Sequence, residues 1–263
     1  MKSYGVRKSE KPLNSKERVI EGVKRKGFSI VENYFSELQC DELSNKLEEV
    51  YQLQIEETGS DVLESIQEVN VCRSPLLYDK FFLDILRDEW LLDLCHTLLE
   101  GPAQLHLQNG IINRPAWTHH QTAWHRDLPY QEFTTSSLLA VNAFICLTEF
   151  TVENGAMVVV PYSQHFPTLP SEYYTKENEE SVVVPKGSLV LFDSFVYHKA
   201  GINSSKETRF GLNHVFTRPF IKQQIDYSSL SCAQEDVVLN ELLGARFKVF
   251  DSVEEYRNNR LRR

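Results

Sequence analysis

No apolar run approaches the roughly 18 residues that a membrane-spanning helix needs, so the chain is not expected to cross or bind a membrane. Cysteine is sparse and unpatterned. Cys40, Cys72, Cys95, Cys146 and Cys232 are odd in number and contain no C-x-x-C pair. That usage suits reduced thiols in a cytoplasm and argues against a disulfide framework. Positive charge is in deficit, with 28 Lys plus Arg against 37 Asp plus Glu and a net charge of −9. Non-specific nucleic-acid binding depends on Lys and Arg meeting phosphate, so no nucleic-acid partner is expected. The stretch Met1–Arg18 is polar and lysine-rich without an apolar segment, and no secretory signal is expected there. There is no internal repeat and no Pro- or Gly-rich linker, which points to a single domain over 1–263.

The 263 residues are 41% hydrophobic and 11% aromatic, enough to bury a full core. After a flexible lead-in over 1–16, the pattern predicts a helix around Glu17–Lys26, a break at Gly27 and a strand at Phe28–Val31. Leu43, Leu47, Val50 and Tyr51 recur at i, i+4, i+7, i+8 and predict an amphipathic helix. A second helical region is predicted over Tyr78–Leu99, with Leu91, Leu94, Cys95 and Leu98 on one face and a stop at Gly101-Pro102. Short apolar or alternating runs then follow: 105–113, 138–148, 156–160, 181–184, 188–192 and 210–216. A helix is predicted near 235–243, and the arginine-rich end reads as a solvated face. Strands gathered after a helical start indicate an α+β chain whose core, about 104–220, is a double-stranded β-helix (a jelly roll of cupin type) with flanking α-helices.

The run Trp124-His125-Arg126-Asp127 carries the first chemical signal. His125 and Asp127 lie two apart, so on an extended chain both side chains project to one side and can reach one ion. By itself the triplet equally describes a surface histidine beside an aspartate. His198, 73 positions later, adds a second imidazole. Two imidazoles and one carboxylate occupy one face of an octahedron and leave three positions open, as in non-haem Fe(II) oxygenases. Arg209 follows eleven positions after His198. Its guanidinium can bind a carboxylate bidentately, although a surface ion pair is the commoner use of an arginine.

Together these residues resemble the phytanoyl-CoA dioxygenase family of Fe(II)- and 2-oxoglutarate-dependent oxygenases. The resemblance rests on Trp124–Asp127, the turn Glu153-Asn154-Gly155, the apolar run Met157–Val160, Pro161-Tyr162-Ser163-Gln164-His165, and His198 with Arg209; it covers roughly 28–220. It implies that His125, Asp127 and His198 hold Fe(II), that Arg209 holds the distal carboxylate of 2-oxoglutarate, and that O2 and a small molecule are the other reactants. An aspartate at 127, rather than a small residue, implies hydroxylation rather than halogenation. A free amino acid or a biosynthetic intermediate is the substrate class expected. Gln108 resembles a position that contacts the co-substrate in some members. Two departures stand out: Pro-Tyr-Ser-Gln-His replaces P-G-S-H, and Ala200 replaces a frequent serine. His165 is therefore expected to be a turn or packing residue.

Alternation sorts the other candidates. Val141, Ala143, Ile145 and Leu147 form a uniformly apolar set expected to pack outward, leaving Asn142, Phe144 and Cys146 toward the site, with Phe144 beside the co-substrate. Gln104, His106 and Gln108 oppose Leu105 and Leu107, and His106 is expected to be a hydrogen-bonded interior residue. The segment 113–121, with His119 and His120, reads as a substrate loop. Two other functions fit parts of the pattern: a cupin-like isomerase or lyase using another metal, and a non-catalytic 2-oxoglutarate-binding protein.

Overall fold

The computed structural model describes residues 5, 13–116, 120–128, 131–230 and 236–261. Most of the lead-in, together with Cys232 and His119, lies outside them, as does the side chain of His120. Eight α-helices are described: α1 (Ser15–Lys26), α2 (Glu37–Thr58), α3 (Ser60–Ser65), α4 (Phe81–Asp84), α5 (Glu89–Leu99), α6 (Glu172–Asn178), α7 (Val237–Leu242) and α8 (Val253–Leu261). None is long and apolar enough to cross a membrane. The strands are β1 (Phe28–Val31), β2 (Val71–Arg73), β3 (Gln104–Asn113), β4 (Ala140–Cys146), β5 (Met157–Val159), β6 (Glu180–Ser181), β7 (Leu189–Asp193), β8 (His198–Ala200) and β9 (Arg209–Thr217).

Local chemistry explains the helical start. Asn14 and Glu17 close a reciprocal capping box on α1, and Ser36 with Gln39 does the same for α2. Leu43, Leu47, Val50 and Tyr51 are all buried. The helical region predicted over Tyr78–Leu99 is broken at Asp88. Its backbone is extended, and its carboxylate accepts the Leu91 N–H. An aspartate that can cap the following turn favours ending one helix and starting another. Helix α5 ends at Leu99, where the sequence places the end, with Glu100 in the left-handed region.

The strands form two antiparallel sheets, one of order β1-β7-β4-β9-β3-β2 and one of order β6-β5-β8. Every residue of β3, β4 and β7 is buried, so the larger sheet is covered on both faces. One face packs on α1, α2 and α5 in the main core, which takes in Val141, Ala143, Ile145 and Leu147 as expected. The opposite face, carrying Phe144, Cys146 and Ile111, packs toward Met157 and Val159 of the smaller sheet. The run predicted at 181–184 contributes only Ser181 to a strand, β6, while Val184 bridges to Phe150. Gly155 closes the Glu-Asn-Gly turn at φ 76°, where a Cβ would lie 2.3 Å from the Gly201 carbonyl oxygen. Only glycine fits that approach.

A β-bulge in β3 between Leu105 and Leu107 decides which side chains reach the site. Leu105 belongs to the helix-side core, whereas Leu107 points to the other face. An extra residue reverses the alternation of everything beyond it.

Candidate metal centre and co-substrate pocket

His125 and His198 are backbone partners. Each N–H donates to the other's carbonyl, at 3.0 and 3.1 Å. Two cross-strand bonds thus close the gap of 73 residues and set the imidazole rings 4.4 Å apart. Asp127 joins them: its Oδ1 lies 3.5 Å from the Nε2 of each histidine. The three donor atoms lie within 4.8 Å of one another.

The imidazoles are prepared in the same way. The Nδ1 of His125 lies 2.9 Å from the Ala123 carbonyl oxygen, and that of His198 lies 3.0 Å from the Val196 carbonyl oxygen. A carbonyl can only accept, so each Nδ1 carries the proton and each Nε2 presents its lone pair toward Asp127 Oδ1. One carboxylate oxygen and two Nε2 lone pairs facing a common point fit a divalent cation such as Fe(II). Burial pulls the His125 pKa down, but Asp127 more than offsets this and holds it above its ordinary value. Burial pushes the Asp127 carboxyl up, yet the two imidazoles outweigh it and keep the group well below the usual carboxylate range.

Below the triad is a cleft walled by Ile111, Phe144, Met157 and Phe192. Arg209 closes its deep end at 2% exposure. The guanidinium stacks 4.4 Å above the Phe150 ring, and among the described residues no carboxylate pairs with it; its Nε has no hydrogen-bond partner. Burial pushes its pKa down to about 10, which still leaves a cation at neutral pH. A buried, unpaired cation is costly unless an anion arrives. The cleft therefore has metal-ligating atoms at one end and an unanswered positive charge at the other.

Of the residues singled out from sequence, His125, Asp127, His198, Arg209 and Phe144 meet at this cleft. Gln108 does not. Its Oε1 accepts from Leu76 N–H at 3.0 Å, and its Nε2 donates to the Phe82 carbonyl at 2.9 Å and faces His214 Nε2 at 3.0 Å, all on the helix side. The bulge is the reason, since beyond it Leu107 and Ile111 lie on the face opposite the helices and Gln108 faces them. His106 is buried as expected, but both ring nitrogens lack partners. His165 is exposed in a short 3-10 turn, and Tyr162 holds the turn's left-handed position at φ 67°.

Alternation predicts Asn142 on the site face; Asn213 and Arg126 escaped the sequence reading. Asn142 and Asn213 both donate from Nδ2 to Asp127 Oδ2, the latter at 3.3 Å. Alternation from Arg209 would have found Asn213. Arg126 has no such signal. It turns away from the metal ligands on either side and spends its five N–H groups on the carbonyls of Phe195, Gln131, Phe133, Ser163 and Phe166. Nearby Asp193 is pushed up to about 6 by burial, despite the Phe195 N–H and the Arg126 charge.

The family model described as phytanoyl-CoA dioxygenase matches residues 23–211. An uncharacterised protein of Mycobacterium tuberculosis, Rv1501, is 32% identical over 241 residues, covering 88% of this chain and 87% of its own. The dioxygenase andF of Emericella variicolor is 27% identical over 154 residues, covering 52% of this chain and 50% of its own. Among solved structures, SnoN, described as a non-haem alpha-ketoglutarate-dependent epimerase from nogalamycin biosynthesis, superposes with a TM-score of 0.55 at 19% identity, over 78% of this chain and 83% of its own. At that identity the likeness is one of fold.

Proposed function

The chain belongs to the phytanoyl-CoA dioxygenase family, and from that premise we propose that it is an Fe(II)- and 2-oxoglutarate-dependent oxygenase hydroxylating a small molecule. The observation that carries the reading is Arg209, a buried cation without a counter-charge at the far end of the cleft from three convergent metal ligands. A five-carbon diacid fits both ends: one carboxylate on the guanidinium fork, the keto-acid end toward His125, Asp127 and His198. When bound, iron and 2-oxoglutarate supply the oxidising chemistry, with O2 consumed and succinate and CO2 released. The chain itself orients the diacid through Arg209 and Phe144 and excludes water with the apolar walls. The two facing sheets are read as a double-stranded β-helix whose core spans about 104–220 in one domain. The four described cysteines are buried free thiols, in keeping with a cytoplasmic setting.

A cupin-like isomerase or lyase would have no use for Arg209. The test is anaerobic addition of Fe(II) and 2-oxoglutarate, reading the weak visible charge-transfer band of the chelate. The band should form in the wild type. Arg209→Ala should weaken 2-oxoglutarate binding by about 2–5 kcal/mol, the usual loss when a buried charge partner is truncated. A folded, iron-loaded wild type with no band would overturn the proposal.

A further inference from the structure

Asp127 must meet a metal through one oxygen if three coordination positions are to stay open, and a carboxylate left to itself can bind through both. In this protein the second oxygen is already engaged. Oδ1 faces the two Nε2 atoms, while Oδ2 accepts from the side-chain amides of Asn142 and Asn213. The amides are fixed in orientation by a relay. Ser194 Oγ donates to Asn142 Oδ1, so the Asn142 Nδ2 is turned inward. That Nδ2 also donates to Asn213 Oδ1 at 3.0 Å, which turns the Asn213 Nδ2 toward Asp127 in its turn. Ser194 grips the ligand segment a second time, since its carbonyl accepts the Asp127 N–H at 3.2 Å. Asn142, Asn213 and Ser194 are buried, and they come from β4, β9 and the turn after β7.

We propose that Asn142 and Asn213, oriented by Ser194, are positioning residues that hold the free oxygen of Asp127, confine it to single-oxygen ligation and thereby set the affinity of the metal centre. The proposal rests on the oxygenase reading given above, but its test does not require turnover. Two donors on Oδ2 compete directly with a metal for that oxygen. They also fix the plane of the carboxylate, so Oδ1 is presented to the cation without further reorganisation.

Mn(II) alone serves as the probe, with free ion read from its electron paramagnetic resonance signal during titration. Wild type, Asp127→Ala, Asn142→Ala, Asn213→Ala and Ser194→Ala are compared, and the melting temperature of each metal-free protein is recorded. Asn142→Ala and Asn213→Ala should each weaken Mn(II) binding about 10- to 100-fold, the range typical of partners behind a metal ligand. The double variant should lose less than the product of the two, because the amides orient each other. Ser194→Ala keeps both amides and should show a smaller loss of the same kind, which covers the case of an asparagine variant that does not fold. Mn(II) affinities within about twofold of wild type in the folded variants, with Asp127→Ala abolishing binding, would overturn the proposal; a purely structural role would lower the metal-free melting temperature and leave affinity alone. If the wild type binds Mn(II) no better than Asp127→Ala, the metal centre itself is wrong and the proposal falls with it.

Discussion

Arg126 stands between two metal-facing residues and does a different job from either. Its guanidinium stacks 4.0 Å from the Tyr197 ring and ties the segment bearing His125 and Asp127 to three separate loops. That anchoring matters because the segment belongs to no strand and meets the sheet through the His125–His198 bridge and a few contacts of Asp127. Lysine carries three N–H donors and no plane, so Arg126→Lys leaves at least two of five carbonyls unanswered. Unpaired carbonyls away from water cost about 1–3 kcal/mol each, which predicts a loss of up to roughly 6 kcal/mol in unfolding free energy. Chemical denaturation of the metal-free variant measures it, and an unchanged midpoint would refute the anchoring role. The sequence makes the triad legible, because a two-residue spacing places His125 and Asp127 on one side. It leaves Arg126 illegible, because its partners are main-chain carbonyls that any sequence possesses.

At the scale of elements, β9 and β4 build the cleft by exchanging bulk. Gly211 lies between Arg209 and Asn213 on the cleft face, and a Cβ there would sit 2.4 Å from two carbons of the Phe144 ring. The missing side chain is what lets Phe144 lie against its neighbour strand. Gly211→Ala should drive the ring into the space between Arg209 and the triad. The expected result is 2-oxoglutarate binding weakened about tenfold, on the order of the 1–3 kcal/mol cost of overpacking, with Mn(II) affinity unchanged. Titration of the visible chelate band against 2-oxoglutarate, beside a Mn(II) titration, distinguishes this from general damage: equal losses in both would sink the idea. The alternation of β4 was legible in Val141, Ala143 and Ile145 against Asn142 and Phe144. That of β3 was not, because no feature of Gln104–Gln108 announces the bulge that sends Gln108 to the helices.

The whole molecule places a second buried imidazole behind the sheet. His214 is fully buried, faces Gln108, and burial lowers its pKa to about 3. Burial also lowers His106. The unfolded chain, with histidines near their ordinary value of 6.5, binds protons that the folded state refuses. Stability from His214 is therefore complete above pH 6.5 and lost as pH falls from there toward 3. Each such proton contributes a slope of about 1.4 kcal/mol per pH unit within that window. His214→Gln, which can still accept from Gln108, should reduce the slope of unfolding free energy between pH 6.5 and 4.5 by about one proton's worth. Denaturant midpoints at several pH values give the answer, and parallel curves for the two proteins would exclude the effect.

Local signals in the chain suffice for much of this protein. Capping residues, periodicity and the turn at Gly155 determine most elements, and the spacing of His125, Asp127, His198 and Arg209 determines the chemistry proposed for them, because covalent neighbours and alternation are properties of sequence alone. Tertiary structure decides the rest: the pairing of His125 with His198, the unpaired state of Arg209, the amides on Asp127 and the exile of Gln108. Each of these depends on which strand lies beside which, and on where one extra residue falls in a ladder. Such contacts join residues tens to more than a hundred positions apart, and no local pattern encodes them.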